Sequence, residues 1–373
     1  MIDIDFNRLR ILGLTLMLAQ RAAALTEQVG AADESIPLSL LRLTEVHRDA
    51  VRLHDGDDEL SARVLPRLTR SLSDEGAALA VGDWVLASTD PHGQIWLHAR
   101  VPPLSHLARR DAFGRRHAVV SNVDTALLVM GLDDDFDPRR LERYLALVQS
   151  QQTINAAVVL TKADVIAAVP GRLAACIEAL RGRVPARIDL FAVDGTDAYT
   201  VGQLAPYLGT GQTLVVLGSS GAGKSTLTNT LLGRSAQDTG AVRAHDSRGK
   251  HTTTARSLHL LPSGACIIDT PGLRALRPDI DEAALAATFA DIESLAAACR
   301  FRDCTHQTEP GCAVREGVPA DRVRNFHKLL REARRDTMSP LERQQQIALW
   351  KARGRVGRER ERERERVHAG LGK

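Results

Sequence analysis

The stretch Thr213-Leu-Val-Val-Leu-Gly-Ser-Ser-Gly-Ala-Gly-Lys-Ser225 decides the fold. Four apolar residues, Leu214 to Leu217, run straight into a glycine-rich turn, and a helix-forming run begins at Ser225. The turn is Gly218-Ser219-Ser220-Gly221-Ala222-Gly223-Lys224-Ser225 and fits G-x-x-x-x-G-K-[ST], the phosphate-binding loop. Glycines let the backbone wrap closely, so its N–H groups face phosphate oxygens at the start of a helix. Lys224 is placed to reach the outer phosphates, and the Ser225 hydroxyl to ligate Mg²⁺. A bare glycine-rich turn is the plain alternative; the strand before it and the helix after it count against that.

Working outward, Asp269-Thr270-Pro271-Gly272 follows the apolar Cys266-Ile267-Ile268. Asp269, at a strand end beside the loop strand, suits Mg²⁺, often through water, and Gly272 can offer its N–H to a γ-phosphate. Alone, such a tetrapeptide is a common turn. Upstream, Thr161-Lys162-Ala163-Asp164 follows the apolar run Ala157 to Leu160 and resembles the [NT]-K-x-D guanine motif. Asp164 can accept hydrogen bonds from the guanine N1–H and 2-amino group, and Lys162 can lay its stem along the base. Adenine lacks both donors and would leave the carboxylate unpaired. On its own this tetrapeptide could equally be a helix cap with a solvated lysine.

The order of the three motifs is unusual. Guanine recognition at 161 precedes the phosphate loop at 218 and the Asp-Thr-Pro-Gly turn at 269, as in circularly permuted GTPases. Moving the chain break leaves a packed site intact if the old ends can be joined. Phe191-Ala192-Val193 should supply the loop that closes over the base. The switch after Gly272 then feeds directly into whatever follows, which couples nucleotide state to a C-terminal module.

Between the loop and the Asp-Thr-Pro-Gly turn lies Gly249-Lys250-His251-Thr252-Thr253-Thr254. A threonine here can complete the Mg²⁺ shell. Thr252 and Thr253 join the candidate nucleotide site, although spacing alone does not choose among the three. Many GTPases orient the attacking water with a glutamine where this chain has Leu273, which cannot hydrogen-bond. Hydrolysis should be slow unless another group helps. His251 is the nearest candidate catalytic residue by sequence; a solvated loop histidine is the plain alternative.

Cys299-x4-Cys304-x-His306-x5-Cys312 offers three thiolates and one imidazole, the set for a closed, structural Zn²⁺ site. Five cysteines, an odd number, argue against a simple disulfide framework, and three of them clustered with a histidine suggest metal and a reducing compartment. Cys176 and Cys266 sit in apolar surroundings and read as core.

The 373 residues suggest two or three domains, and 44% hydrophobic with 3% aromatic content means an aliphatic core. The net charge of +3 is unevenly spread: Arg331 to Lys373 carries 13 Lys and Arg against 7 Asp and Glu, so the rest is slightly acidic. That tail suits either a polyanion or plain solvation. Ile11 to Ala19 is apolar but far too short to span a bilayer, and Asp3, Asp5, Arg8 and Arg10 before it balance to zero. Leu9, Leu12, Leu16 and Leu18 fit one amphipathic helix, so the protein is expected to be cytoplasmic, with no membrane partner, and a monomer.

The expected architecture is multidomain. Residues 1–36 are a helical extension. Residues 37–108 hold short alternating strands that suit an OB-like β-barrel. Residues 109–280 form an α/β P-loop GTPase domain in circularly permuted order, opening on a basic linker with Arg109, Arg110, Arg115, Arg116 and His117. Residues 281–340 form a zinc-binding helical module, with helices over 282–298 and 320–336. Residues 341–373 are a charged tail whose Arg358 to Arg366 alternates Arg and Glu.

Taken together, the chain resembles the RsgA family of small-ribosomal-subunit biogenesis GTPases over nearly its whole length. The most specific stretches are Ser121-Asn122-Val123-Asp124, Gly218 to Thr226, Gly249 to Thr254, and Cys299 to Cys312. The resemblance implies binding and hydrolysis of GTP to GDP, late action in small-subunit maturation, stimulation by that subunit, and contact of barrel and zinc module with rRNA. It also brings Thr226 into the nucleotide site and implies a catalytic part for His251. Thr161 departs from the family's usual asparagine. Three other readings stay open. One is an RNA-binding assembly checkpoint that uses GTP occupancy with little hydrolysis, as Leu273 would allow. Another is an ATPase or kinase, which the Thr-Lys-Ala-Asp motif disfavours. The last is the same GTPase acting on the large subunit.

Overall fold

In a computed structural model, residues 4–30, 37–47, 50–110, 116–233, 256–270, 277–278 and 280–337 are described. The chain opens with α1 (Phe6–Arg10) and α2 (Leu16–Gly30). The single amphipathic helix expected through Leu9 to Ala19 is therefore two helices. Gly13 takes φ +85°, which breaks the first, and the Thr15 hydroxyl accepts the Leu18 N–H to start the second. Leu9, Leu12, Leu14 and Leu18 are buried, while Leu16 is 71% exposed.

Five strands follow: β1 (Ser39–Val46), β2 (Val51–His54), β3 (Glu59–Val64), β4 (Trp84–Thr89) and β5 (Ile95–Arg100), with α3 (Pro66–Asp74) between β3 and β4. They pair in the order β1-β2-β3-β5-β4, and β4 returns to β1, so the barrel closes. The β3–β5 pair is parallel and the others antiparallel, the OB-type arrangement. Leu41, Leu43, Leu53, Val85 and Leu97 fill the interior.

The residues expected as a basic linker instead form a hairpin, β6 (His106–Arg110) and β7 (Arg116–Ser121). Backbone hydrogen bonds to a partner strand decide this, and composition does not reveal them.

The α/β domain then begins with β8 (Thr125–Gly131), buried at every position as a parallel strand covered on both faces should be. α4 (Pro138–Gln149) starts with Pro138 at its first turn, and the capping Asp137 carboxylate accepts the Arg139 N–H at 3.0 Å. β9 (Asn155–Thr161), α5 (Ala163–Ala167), α6 (Arg172–Leu180), β10 (Asp189–Ala192) and α7 (Tyr199–Gln203) come next. β11 (Thr213–Gly218) leads to α8 (Lys224–Leu232), and the expected hairpin is β12 (Ser257–Leu260) with β13 (Cys266–Asp269). The sheet order is β10-β9-β8-β11-β13-β12, parallel except for β12.

Barrel and α/β sheet are joined. β12 pairs with barrel strand β1 through Ser257 and Glu45, giving one eleven-stranded sheet. β14 (Arg277–Pro278) pairs with β6. At the seam the Arg42 side chain, fully buried, donates to the carbonyl of Leu12, to the Thr213 hydroxyl at 3.0 Å and to the Asn122 carbonyl at 3.0 Å. Its guanidinium also stacks 5.5 Å over Trp84. One cation thereby ties together the N-terminal turn, the barrel, the connecting loop and the strand before the glycine-rich turn.

The C-terminal module comprises α9 (Glu282–Thr288), α10 (Ala290–Ala296), α11 (Ala313–Gly317) and α12 (Ala320–Thr337). The helix expected over 282–298 is broken at Phe289, which leaves helical geometry (φ −112°, ψ 42°). Its ring is buried beneath the Arg322 guanidinium (4.7 Å) and edge-on to Phe326 (5.4 Å), and this packing outweighs helix propensity. Glu142 of α4, with no exposed surface, docks the module. It accepts Arg183 at 3.0 Å, Arg322 at 2.7 Å and Asn325 at 2.6 Å. Among the described residues no helix is long and apolar enough to cross a membrane.

Candidate nucleotide and metal sites

The turns that carry the sequence motifs all leave the carboxyl edge of the parallel strands, where open α/β sheets bind ligands. Gly218 pairs across from Val129, Thr161 from Gly131, and Asp269 from Val216. That alignment brings 161–164, 218–226 and 269 to one edge.

The last residue of β11, Gly218, must be glycine, because a Cβ there would lie 2.3 Å from the Val129 carbonyl oxygen. Gly221 and Gly223 then take φ of 86° and 84°, and the nine-residue α8 begins at Lys224. Its free N–H groups and dipole make this end a seat for anions. Lys224 is buried and donates to the Ser219 carbonyl at 2.6 Å. Ser220 and Gly221 are exposed at the tip, and Ser225 and Thr226 half-buried in the first turn of α8.

The guanine motif leans on this loop. The Thr161 hydroxyl, buried, donates to the Ala222 carbonyl at 2.7 Å, so the departure from asparagine keeps a tether to the loop. Lys162 takes left-handed backbone geometry (φ 62°) and caps α5. Its ammonium donates to the Gly221 carbonyl at 2.8 Å and to Asp133 at 2.5 Å. Ala163 donates its N–H to the Val193 carbonyl at 3.1 Å, and Asp164 stays exposed on the first turn of α5. The loop after β10 is tied to α8 by the Thr230 hydroxyl on the Gly195 carbonyl at 2.7 Å. There the Asp194 carboxylate accepts the Thr196 hydroxyl and N–H, which hold it below the ordinary carboxylate range.

Asp269 is 3% exposed, and its Oδ1 finds no hydrogen-bond partner among the described residues. A buried carboxylate oxygen without a donor fits a cation or its water shell, so the site suits Mg²⁺. Thr270 beside it donates its hydroxyl to the Val216 carbonyl at 2.6 Å and fixes the turn. Gly272, His251, Thr252 and Thr253, together with Thr254 and Leu273, lie outside the described residues, as does the tail from 338 on.

Sequence reading missed Asp133 and Asp135, in the turn after β8. Partial burial pushes the Asp133 carboxyl up, but the Lys162 ammonium and the Asp135 N–H outweigh it and hold the group below its usual range. Asp135 accepts the Ser219 hydroxyl, the Arg140 guanidinium and the Gly131 N–H (3.2 Å). The available signal was an acidic Asp133-Asp134-Asp135 run at the end of a fully buried strand.

The second site lies in the C-terminal module. Ligand atoms of Cys299, Cys304, His306 and Cys312 all lie within 4.8 Å of one another. Cys299 Sγ is 3.9 Å from Cys312 Sγ, and the two sulfurs lie 3.6 and 3.5 Å from His306 Nδ1. A tetrahedral Zn²⁺ with about 2.3 Å bonds to sulfur needs sulfur edges of roughly 3.8 Å. The cluster fits that ion, and none of its thiols is in a disulfide. Glu309 shapes the knuckle by accepting the N–H groups of Thr305, Gln307 and Thr308; the Thr305 hydroxyl above all, with the Glu309, Gln307 and Thr305 N–H groups, pulls its carboxyl down to about 2.

The chain is similar to known proteins. A family model described as RsgA GTPase matches residues 101–278. The protein named small ribosomal subunit biogenesis GTPase RsgA in Xanthomonas axonopodis pv. citri (strain 306) is 42% identical over 336 residues, 88% of this chain and 89% of that one. Its namesake in Xanthomonas campestris pv. campestris (strain B100) is 46% identical over 296 residues, 77% of this chain and 79% of that one. Among solved structures, YjeQ from Thermotoga maritima covers 79% of this chain and 98% of its own length, with TM-score 0.57 and 21% identity. YloQ, described as a circularly permuted GTPase, covers 81% and 97%, with TM-score 0.53 and 21% identity. At that identity the two structures speak for the fold alone.

Proposed function

This chain belongs to the RsgA GTPase family, and from that premise we propose that it acts in the cytoplasm, late in maturation of the small ribosomal subunit, as a subunit-stimulated GTPase. The family assignment makes it a GTP hydrolase with GTP and GDP as ligands and Mg²⁺ as cofactor. The carrying observation is the convergence of Asp164, Lys224 and Asp269 on one sheet edge in permuted order.

In this reading Asp164 selects guanine, with Thr161, Lys162 and Ala163 shaping the base site. Gly218 to Thr226 wrap the phosphates, and Lys224 leaves the Ser219 carbonyl for a phosphate oxygen. Ser225 and Asp269 would hold Mg²⁺, which would neutralise negative charge on the phosphates. Gly272, Thr252 or Thr253, and His251 as the group that orients water, complete the proposed machinery. Cys299, Cys304, His306 and Cys312 would hold one structural Zn²⁺.

Contact with rRNA is part of the proposal. A groove of about 1080 Å³ runs between the Cys/His knuckle and α12, lined by Arg315, Arg324, Lys328 and Arg331 among others. Such a basic lining favours a phosphate backbone. Co-sedimentation tests the partner. With a slowly hydrolysed GTP analogue, the chain should travel with purified small subunits and not with large ones. Equal sedimentation with both, or with neither, would overturn the assignment.

A further inference from the structure

We infer that Asp133 is a positioning residue for guanine recognition: its carboxylate anchors the Lys162 ammonium and so sets the aliphatic stem on which the base rests. The inference builds on the reading that Lys162 and Asp164 receive guanine.

Lys162 is fixed at both ends. Its backbone sits in the left-handed region, unfavourable for a side-chain-bearing residue, and is held there by its neighbours. Thr161 before it is pinned to the Ala222 carbonyl, and Ala163 after it to the Val193 carbonyl. At the far end the ammonium has two acceptors, the Gly221 carbonyl and Asp133 Oδ2. The four-carbon stem is thus stretched across the glycine-rich turn. A free lysine stem would lose rotamer freedom as the base settled on it; an anchored one has already lost it.

Asp133 is itself braced. Its Oδ1 accepts the Asp135 N–H at 3.1 Å, and Asp135 holds Ser219, Arg140 and the Gly131 N–H. β8 lies between β9, which delivers the guanine motif, and β11, which delivers the glycine-rich turn. The turn after β8 is therefore placed to touch both, and does so through Lys162 and Ser219. No other carboxylate is in ion-pair contact with Lys162 among the described residues.

Asp133→Asn tests this with little disturbance, because the amide oxygen can still accept the Asp135 N–H. GDP and GTP should bind roughly three- to tenfold more weakly, mainly through faster release. KM for GTP should rise while kcat stays within about twofold. Competition by tripolyphosphate, which has no base, should not change. In a Lys162→Met background the added Asp133→Asn should have no further effect, and Asp133→Glu should recover part of the loss. The inference is overturned by unchanged GDP affinity, by equal loss for tripolyphosphate, or by an undiminished effect in the Lys162→Met background. Failure of the underlying guanine reading shows separately: Asp164→Asn would then leave GDP affinity intact and ADP would compete as well as GDP.

Discussion

Replacing Glu142 by alanine should loosen the C-terminal module from the GTPase domain. Both carboxylate oxygens are buried and used: Oε1 accepts Arg183 and Arg322, and Oε2 accepts Asn325. Arg322 is only 2% exposed, so its charge cannot turn to water when Glu142 is removed. Breaking a buried pair from one side costs about 3–5 kcal/mol. Arg322 keeps Asp291 at 2.8 Å and Arg183 keeps Asp321 at 2.8 Å, which places the loss near the lower end, about 3 kcal/mol. For a cooperative unit of 150–250 residues, each kcal/mol moves the melting point by roughly 2–4 °C, so Tm should fall by about 6–12 °C. Scanning calorimetry reads this directly, and proteolysis within 282–337 should quicken in step. The pair Glu142→Leu with Arg322→Met should lose much less, because a packed apolar substitute avoids the desolvation cost. A Glu142→Ala melt within 2 °C of the parent would refute the argument and place the docking energy in the apolar contacts of Phe289 and Phe326.

Other outcomes follow from the same residues. Asp164→Asn should weaken GDP by a hundredfold or more and shift preference toward xanthosine nucleotides, whose 2-oxo group needs the amide donor; competitive titration checks it. One Zn²⁺ per chain should be found by elemental analysis, and a strong chelator or Cys304→Ser should remove it and lower the stability of the 282–337 module. Burial pushes the Asp83 carboxyl up to about 6, with the Arg100 guanidinium and Ala80 N–H pulling the other way. Its folded value exceeds the unfolded 3.8, so its contribution to folding is full below about pH 4 and is lost as pH rises through about 6. Asp83→Asn should therefore gain on the parent across that window, by up to about 3 kcal/mol, in denaturant melts at successive pH values.

The nucleotide motifs were legible because their chemistry is local. A glycine-rich turn between an apolar run and a helix, or a cysteine spacing that closes on one ion, needs no partner from elsewhere. The barrel was legible from short alternating strands, since Leu41, Leu43, Val85 and Leu97 all face one interior. What escaped depends on distant partners. Arg42 looks like an ordinary strand arginine, yet its acceptors include Leu12, Asn122 and Thr213. The same contact set explains why the break in the N-terminal helix falls on a glycine, because a Cβ on Gly13 would lie 2.5 Å from the Arg42 guanidinium and 3.0 Å from the Gly211 carbonyl. Asp133 and Asp135 find Lys162 and Ser219 only once β8 lies between β9 and β11. The 106–121 hairpin read as a linker because its strands are too rich in arginine for a hydrophobic pattern to show.

These pairings bear on the switch coupling that the sequence suggested. The segment after the Asp-Thr-Pro-Gly turn enters the C-terminal module by way of β14, which pairs with β6 next to the barrel. The segment after the threonine run enters β12, which pairs with barrel strand β1. The β12 exit is thus hydrogen-bonded to the barrel and the β14 exit to the separate β14-β6-β7 sheet, so a load on the barrel has a physical route to the strands that flank the nucleotide edge.

The decisive measurement is GTP hydrolysis with and without purified small ribosomal subunits, with Lys224→Ala as the blank. Turnover should be slow alone and strongly stimulated by small subunits, with no stimulation by large subunits or in the variant. Tight guanine-nucleotide binding with no stimulation by small subunits would contradict this and leave GTP as an occupancy signal on an assembly checkpoint.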